Sequence, residues 1–225
     1  MSRRGTPDSR AEARQRRAAL TEPGAVMDAA ARFLETRSRS VAETRRRLTD
    51  AGYPPPLIEE VVAHLVELGY LDDAAFARAW VESRDRAHPR GEAALRRELA
   101  LKGIDREVAE AALEERRTSG GPDGRAGGGS WIPGSGPGAG PATGRGLSTA
   151  HARAEATLDP DDVAARRVLD RRSAVLLREP DLRRRRAKAY ALLARHGFDP
   201  GTCRAATEAW IAGSTSGPDP DRDDV

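Results

Sequence analysis

Apolar positions along this chain recur at three- and four-residue spacing rather than in alternation, which is the period of helices packed through one face. Between Gly69 and Ile104, Phe76, Trp80 and Val81 share one face of a predicted helix, and Arg78, Glu82 and Arg84 lie elsewhere. Pro89 and Gly91 end that helix. Leu95, Leu99 and Leu101 ride a second, basic helix that stops at Gly103, and a third short helix follows from Asp105 to Glu115. Glycine closes a helix by taking the left-handed conformation, and the residue after it folds back on the third-from-last helical residue. That pairs Ile104 with Leu99 and, at the stop before this segment, Tyr70 with Leu65. Asp72 and Asp73 are predicted to cap the helix that follows, because carboxylates accept its orphan N–H groups and meet the positive end of its dipole.

The unit recurs. Aligned on Gly52, Gly103 and Gly197, each stop has Leu four residues before it and an apolar residue directly after it. The first two stops are 51 residues apart, a period suited to a three-helix repeat. An apolar helix follows each stop, and one of similar shape precedes each unit at Phe33-Leu34, Trp80-Val81 and Val168-Leu169. The expected fold is therefore all-α: three tandem three-helix repeats in an elongated array. Residues 1–24 read as a disordered basic arm, 25–71 as repeat 1 and 72–117 as repeat 2. Residues 118–157 read as a flexible Gly/Pro-rich linker, 158–211 as repeat 3 and 212–225 as a disordered acidic tail. Pro54, Pro55 and Pro56 fit a first helical turn, where the missing N–H groups would be unpaired anyway.

Composition narrows the function. Charged residues make up 32 % of the 225 and aromatics 4 %, so burial must come from Ala, Leu and Val stripes on small helices. The net charge of +3 hides an asymmetry: arginines crowd the first 20 residues, and Asp219, Asp221, Asp223 and Asp224 the end. Cys203 is the only cysteine, which excludes an intrachain disulfide and fits a reducing compartment. With no run of 18 apolar residues and no apolar stretch near the N-terminus, the chain reads as cytoplasmic, with no membrane partner. No catalytic or metal-binding constellation assembles. His64, His88, His151 and His196 are scattered, and Cys203 has no partner at ligand spacing. Asp72/Asp73 and Glu59/Glu60 sit where helix starts account for them. The glycines between Thr118 and Gly146 lack the Gly-x-x-x-x-Gly-Lys-Ser/Thr of a phosphate loop. The reading is a non-enzymatic protein without cofactor or metal.

Two basic runs stand out. Arg45, Arg46 and Arg47 occupy successive helical positions, so at least two face solvent. Arg183 to Arg186, with Lys188, form the most basic stretch. They serve either as a contact for nucleic acid or an acidic protein, or as a fully solvated first turn.

Gly69-Tyr-Leu-Asp-Asp73 with Phe76, Arg84, Gly91, Leu95, Glu98, Leu99 and Lys102-Gly-Ile104 resembles the core of the RecX family of bacterial recombination regulators. Arg37, Ser40 and Glu43 match the family's upstream R-x-x-S-x-x-E. The likeness covers roughly residues 26–115 and, more weakly, 160–211. Thr44 stands where family members usually have Leu, and the long insertion before repeat 3 is a second departure. The resemblance implies a monomeric protein that binds the RecA recombinase. It would lie in the groove of the RecA filament on single-stranded DNA and inhibit the ATPase, strand-exchange and coprotease activities, modulating recombination, DNA repair and the SOS response. On charge and expected exposure, the candidate contacts with RecA or DNA are Arg45, Arg46, Arg47, Arg84, Arg90, Arg96, Arg97, Lys102, Arg183, Arg184, Arg185, Arg186 and Lys188. Gly52, Gly69, Gly103 and Gly197 are expected to be structural helix stops. The alternatives are a basic helical module that binds single-stranded or duplex DNA non-specifically, or a helical scaffold for another protein. No helix offers the Asn, Gln and Arg mixture that reads base edges.

Overall fold

A computed structural model describes residues 7–119 and 159–215, and every described element is a helix. α1 runs over Pro7–Ala18, α2 over Gly24–Leu34, α3 over Val41–Ala51 and α4 over Pro55–Glu67. α5 (Asp73–Ala87), α6 (Glu92–Leu101) and α7 (Arg106–Thr118) follow. Beyond the expected linker, whose residues 120–157 lie outside the described residues, come α8 (Pro160–Leu176), α9 (Leu182–Arg195) and α10 (Pro200–Thr215). The helices thus form three triplets, α2–α4, α5–α7 and α8–α10, preceded by α1. Residues 7–18, within the arm expected to be disordered, are helical, and α10 extends into the expected tail, of which 216–225 lie outside the described residues.

The described residues fall into two compact units. One holds α1, the first triplet, the start of α5 and Leu99–Ala109; the other holds Arg78–Glu98 and the described residues from Glu110 onward. The second triplet contributes to both. In the first unit, Val26, Ala30, Leu48, Ile58, Val61, Val62, Leu65 and Leu71 form one buried cluster. In the second, Ala165, Val168, Leu169, Ala189, Leu193, Phe198, Cys203 and Trp210 form another. Burying each Val, Leu, Ile or Phe side chain among them is worth roughly 1.5–3 kcal/mol, which makes these stripes the main source of stability. Thr44, in place of the family's Leu, is fully buried, and its hydroxyl donates to the Ser40 carbonyl at 3.0 Å.

The helix stops are built alike. Gly52, Gly69, Gly103 and Gly197 all have φ between 73° and 90°. The N–H after each glycine reaches back five residues, to the carbonyls of Leu48, Leu65, Leu99 and Leu193, at 2.9–3.4 Å. These bonds satisfy carbonyls that the end of a helix would otherwise orphan. Leu101 lies on α6 with Leu95 and Leu99, as expected, but is 78 % exposed.

Triplets join through two of these stops, at Gly103 and Gly197. In the first unit, the start of α3 meets the stop at Gly103: the Ser40 hydroxyl donates to the Lys102 carbonyl at 2.6 Å, and the Val41 N–H donates to Asp73 at 2.9 Å. In the second unit, the start of α6 meets the stop at Gly197 in the same way. There the Gly91 N–H donates to the His196 carbonyl at 3.0 Å, and the Glu92 N–H donates to Asp161 at 3.0 Å. The fit leaves no room for side chains at these two glycines. A Cβ on Gly103 would stand 2.3 Å from the Ala42 Cβ, and one on Gly197 2.5 Å from the Ala94 Cβ. This corrects the expectation that Asp72 and Asp73 both cap α5. Asp72 and Asp159 cap their own helices, accepting from Ala75 and Asp161, whereas Asp73 and Asp161 reach across to the neighbouring triplet.

Candidate functional site

Exposed basic side chains are the chain's most distinctive surface feature, and their partners divide them. Arg45 donates to Glu59 at 2.8–3.0 Å. One period later, Arg96 donates to Glu110 at 2.6 and 3.1 Å and also to Glu92. The bond to Glu110 raises the Arg96 pKa and keeps its charge committed, with burial opposing and Glu92 adding to it. Arg84 donates to Glu98 at 2.6 Å with its guanidinium 4.2 Å from the centre of the Trp80 ring; the Trp80 indole N–H also donates to Glu98, at 3.0 Å. Arg90 lies 3.7 Å from the same carboxylate. Arg185 donates twice to the Glu179 carbonyl, and Lys188 pairs with the Glu179 carboxylate at 2.5 Å. Arg45, Arg84 and Arg96 tie neighbouring helices together, and Arg185 and Lys188 anchor the turn before α9.

Lys102 belongs with them. Its ammonium donates to Glu43 at 2.8 Å, and Arg37 donates to the same carboxylate at 3.2 and 3.3 Å. Burial pushes the Glu43 carboxyl up, but Arg37 and Lys102 outweigh it and bring it down to about 2. Glu43 also completes a capping box with Ser40 at the start of α3. The matched Arg37, Ser40 and Glu43 therefore form one polar knot around the first joint.

The remaining candidates are differently placed. Arg46 and Arg97 are exposed, occupy equivalent positions six residues before their stops, and make no ion pair or side-chain hydrogen bond among the described residues. Arg183, Arg184 and Arg186 are likewise exposed in the first turn of α9, with no side-chain hydrogen bond or ion pair among the described residues. Arg47 is exposed and lies over the Phe33 ring at 5.8 Å. These six offer guanidinium groups that a polyanion or an acidic surface can take without breaking an internal bond.

Sequence reading overlooked one cation. Arg116, on α7, is buried and donates to Asp85 at 2.8 and 3.0 Å and to Asp161 at 2.5 Å. Burial disfavours its charge, but the two carboxylates raise its pKa; burial also pushes the Asp161 carboxyl up despite Arg116. The signal was in the pattern: Asp85 continues the buried Ala77–Val81 stripe of α5 at four-residue spacing, and Arg116 continues Ala112–Leu113 on α7. Among the described residues, no group of three or more His, Cys, Asp or Glu side chains could hold a metal ion. No described helix is long and apolar enough to cross a membrane.

Comparison with known proteins bears on this surface. A family model described as RecX, first three-helix domain, matches residues 27–65, and one described as RecX, second three-helix domain, matches residues 72–113. The Regulatory protein RecX of Mycobacterium sp. (strain JLS) is 42 % identical over 84 residues, which is 37 % of this chain and 46 % of that protein. That of Mycolicibacterium smegmatis is 42 % identical over 84 residues, 37 % of this chain and 45 % of that protein. The chain thus spans about half the length of these curated relatives. The crystal structure of RecX from Lactobacillus salivarius superposes with a TM-score of 0.56 at 17 % identity, covering 84 % of this chain and 97 % of that one. A second, titled as a regulatory protein RecX, gives 0.58 at 15 % identity over 83 % and 73 %. At these identities the structures speak for the fold alone.

Proposed function

We propose that this chain, which belongs to the RecX family, is a non-enzymatic regulator that binds the RecA filament on single-stranded DNA and inhibits its ATPase, strand-exchange and coprotease activities. It would thereby restrain recombination, DNA repair and the SOS response in the cytoplasm. The observation that carries this reading is the pair of RecX domain matches lying in tandem over residues 27–65 and 72–113. The distribution of uncommitted arginines supports it. Arg46 and Arg97 repeat at one position on successive triplets, and Arg183, Arg184 and Arg186 supply a third basic patch. Such patches are individually weak. Joined in one chain, each binding event raises the effective concentration of the next, so modest contacts to a repetitive polymer add up.

The test is RecA ATP hydrolysis on single-stranded DNA, titrated with this protein far below one per RecA, with binding to naked DNA followed at the same salt. Inhibition at a small fraction of the RecA concentration is expected. Inhibition only once the protein coats the DNA would assign it instead to non-specific DNA binding. No inhibition at any ratio would leave a helical scaffold for a different partner.

A further inference from the structure

We propose that α1 stands in for the second helix of a preceding triplet and occupies, in cis, the face through which triplets join. Each triplet's second helix ends in a left-handed glycine stop, and each of the three stops is covered from outside. At Gly103 the cover is the Ala42 Cβ, and the carbonyl just before the glycine, on Lys102, accepts from the Ser40 hydroxyl. At Gly197 the cover is Ala94, and the preceding carbonyl, on His196, accepts from the Gly91 N–H. At Gly52 α1 supplies both parts. A Cβ built on Gly52 would lie 3.1 Å from the Arg14 Cβ and 3.3 Å from its Cα, and the preceding carbonyl, on Ala51, accepts from Arg17 at 3.1 Å. The Arg17 guanidinium also lies over the Tyr53 ring at 5.6 Å, and Leu20 packs against the cluster of the first triplet.

The contrast with Gly69 shows that position, and not the glycine itself, calls for a cover. That stop ends a third helix, and a Cβ there would meet nothing within 4 Å. The stop at Gly52 is also adapted to a dedicated cover. α5 brings Asp73, and α8 Asp161, to accept the first N–H of the preceding second helix, whereas α2 has no acidic residue in its first turn. An uncovered stop would leave a bare carbonyl and an open joining face at the end of a repeat array, the situation that capping elements relieve. The occupant of this face is the segment Pro7–Leu20.

Amide hydrogen exchange in the full chain tests the assignment. Arg14→Ala keeps the Cβ that α3 and α6 present as alanine, so Gly52 and Tyr53 should exchange as in the unaltered chain. Arg14→Pro breaks α1 without touching a triplet, and those two amides should then exchange at least about tenfold faster, with Gly103 and Ile104 unchanged. Unchanged exchange in Arg14→Pro overturns the proposal. Equal acceleration in both variants overturns it too, because the arginine head group and not the helix would then be what the stop requires.

Discussion

Arg116 on α7 and Asp161 on α8 lie 2.5 Å apart in a buried contact that joins the second triplet to the third. Asp85 takes the other edge of the same guanidinium, and all three side chains are 10 % exposed or less. Removing one partner of such a group leaves uncompensated charge inside the protein, which typically costs about 3–5 kcal/mol, whereas apolar replacement of the whole group is often neutral. Arg116→Met should therefore lower the denaturant midpoint sharply, with amides of α8 losing protection first. Arg116→Met combined with Asp85→Leu should recover part of the loss. A single variant as stable as the parent would show that the contact is not formed in solution.

The stops give a paired prediction. Gly69→Ala meets only the cost of a left-handed alanine, roughly 1–2 kcal/mol, because the space beside it is open. Gly197→Ala pays that and also drives a methyl to within 2.5 Å of Ala94, so the join must shift. Its loss in a urea titration should exceed that of Gly69→Ala by about 1–3 kcal/mol, the usual range for overpacking. Equal losses would mean that Ala94 does not rest on the stop.

The helix triplets and their glycine stops were legible in the sequence because their causes are local. Leu-x-x-x-Gly-apolar states both the turn and the contact that closes it, within six residues. What escaped depended on distant partners. Asp73 reads as a cap, since an acidic residue near a helix start has an adequate local explanation; its acceptance of the Val41 N–H, like that of the Glu92 N–H by Asp161, links residues 32 and 69 positions apart. Arg116 needed two partners at separations of 31 and 45 residues. Leu101 shares α6 but not its buried face: two residues after Leu99, it points about 200° around the helix. Charge alone could not separate Arg96, held by Glu92 and Glu110, from its exposed neighbour Arg97. α1 looked like a solvated arm because only the stop at Gly52 gives it something to hold.

Glu43 makes the first joint sensitive to acid. Its carboxyl sits at about 2 in the folded chain against an ordinary 4.5, and its side chain is 14 % exposed. A group depressed on folding contributes stability that is fully present above the unfolded value and is lost as pH falls through the folded one. The difference corresponds to something on the order of 3 kcal/mol between about pH 5 and pH 2. Glu43→Gln should lower stability at pH 7 and flatten its dependence over that window. A variant whose stability falls with acid as steeply as the parent's would place the acid-labile group elsewhere.

Exposed and committed arginines should separate cleanly when each set is reversed to glutamate. Arg46→Glu with Arg97→Glu, or Arg183→Glu with Arg184→Glu and Arg186→Glu, breaks no internal bond among the described residues. Stability should stay within about 0.5 kcal/mol per site, as for surface positions generally. If the proposed function holds, binding to the RecA filament weakens in both sets. Where the lost partner is a phosphate, the slope of log affinity against log salt should shrink by about 0.7 for each contact to single-stranded DNA. Arg96→Glu is the counterpart: it sets a third carboxylate against Glu92 and Glu110 and should cost stability before it costs binding. Fluorescence anisotropy over a salt series, beside thermal melts of the same variants, reads both quantities. If the exposed sets keep parental affinity and salt slope, they are solvated faces and the filament contact lies on another surface. If Arg96→Glu weakens binding at parental stability, the division between structural and contacting arginines is drawn in the wrong place.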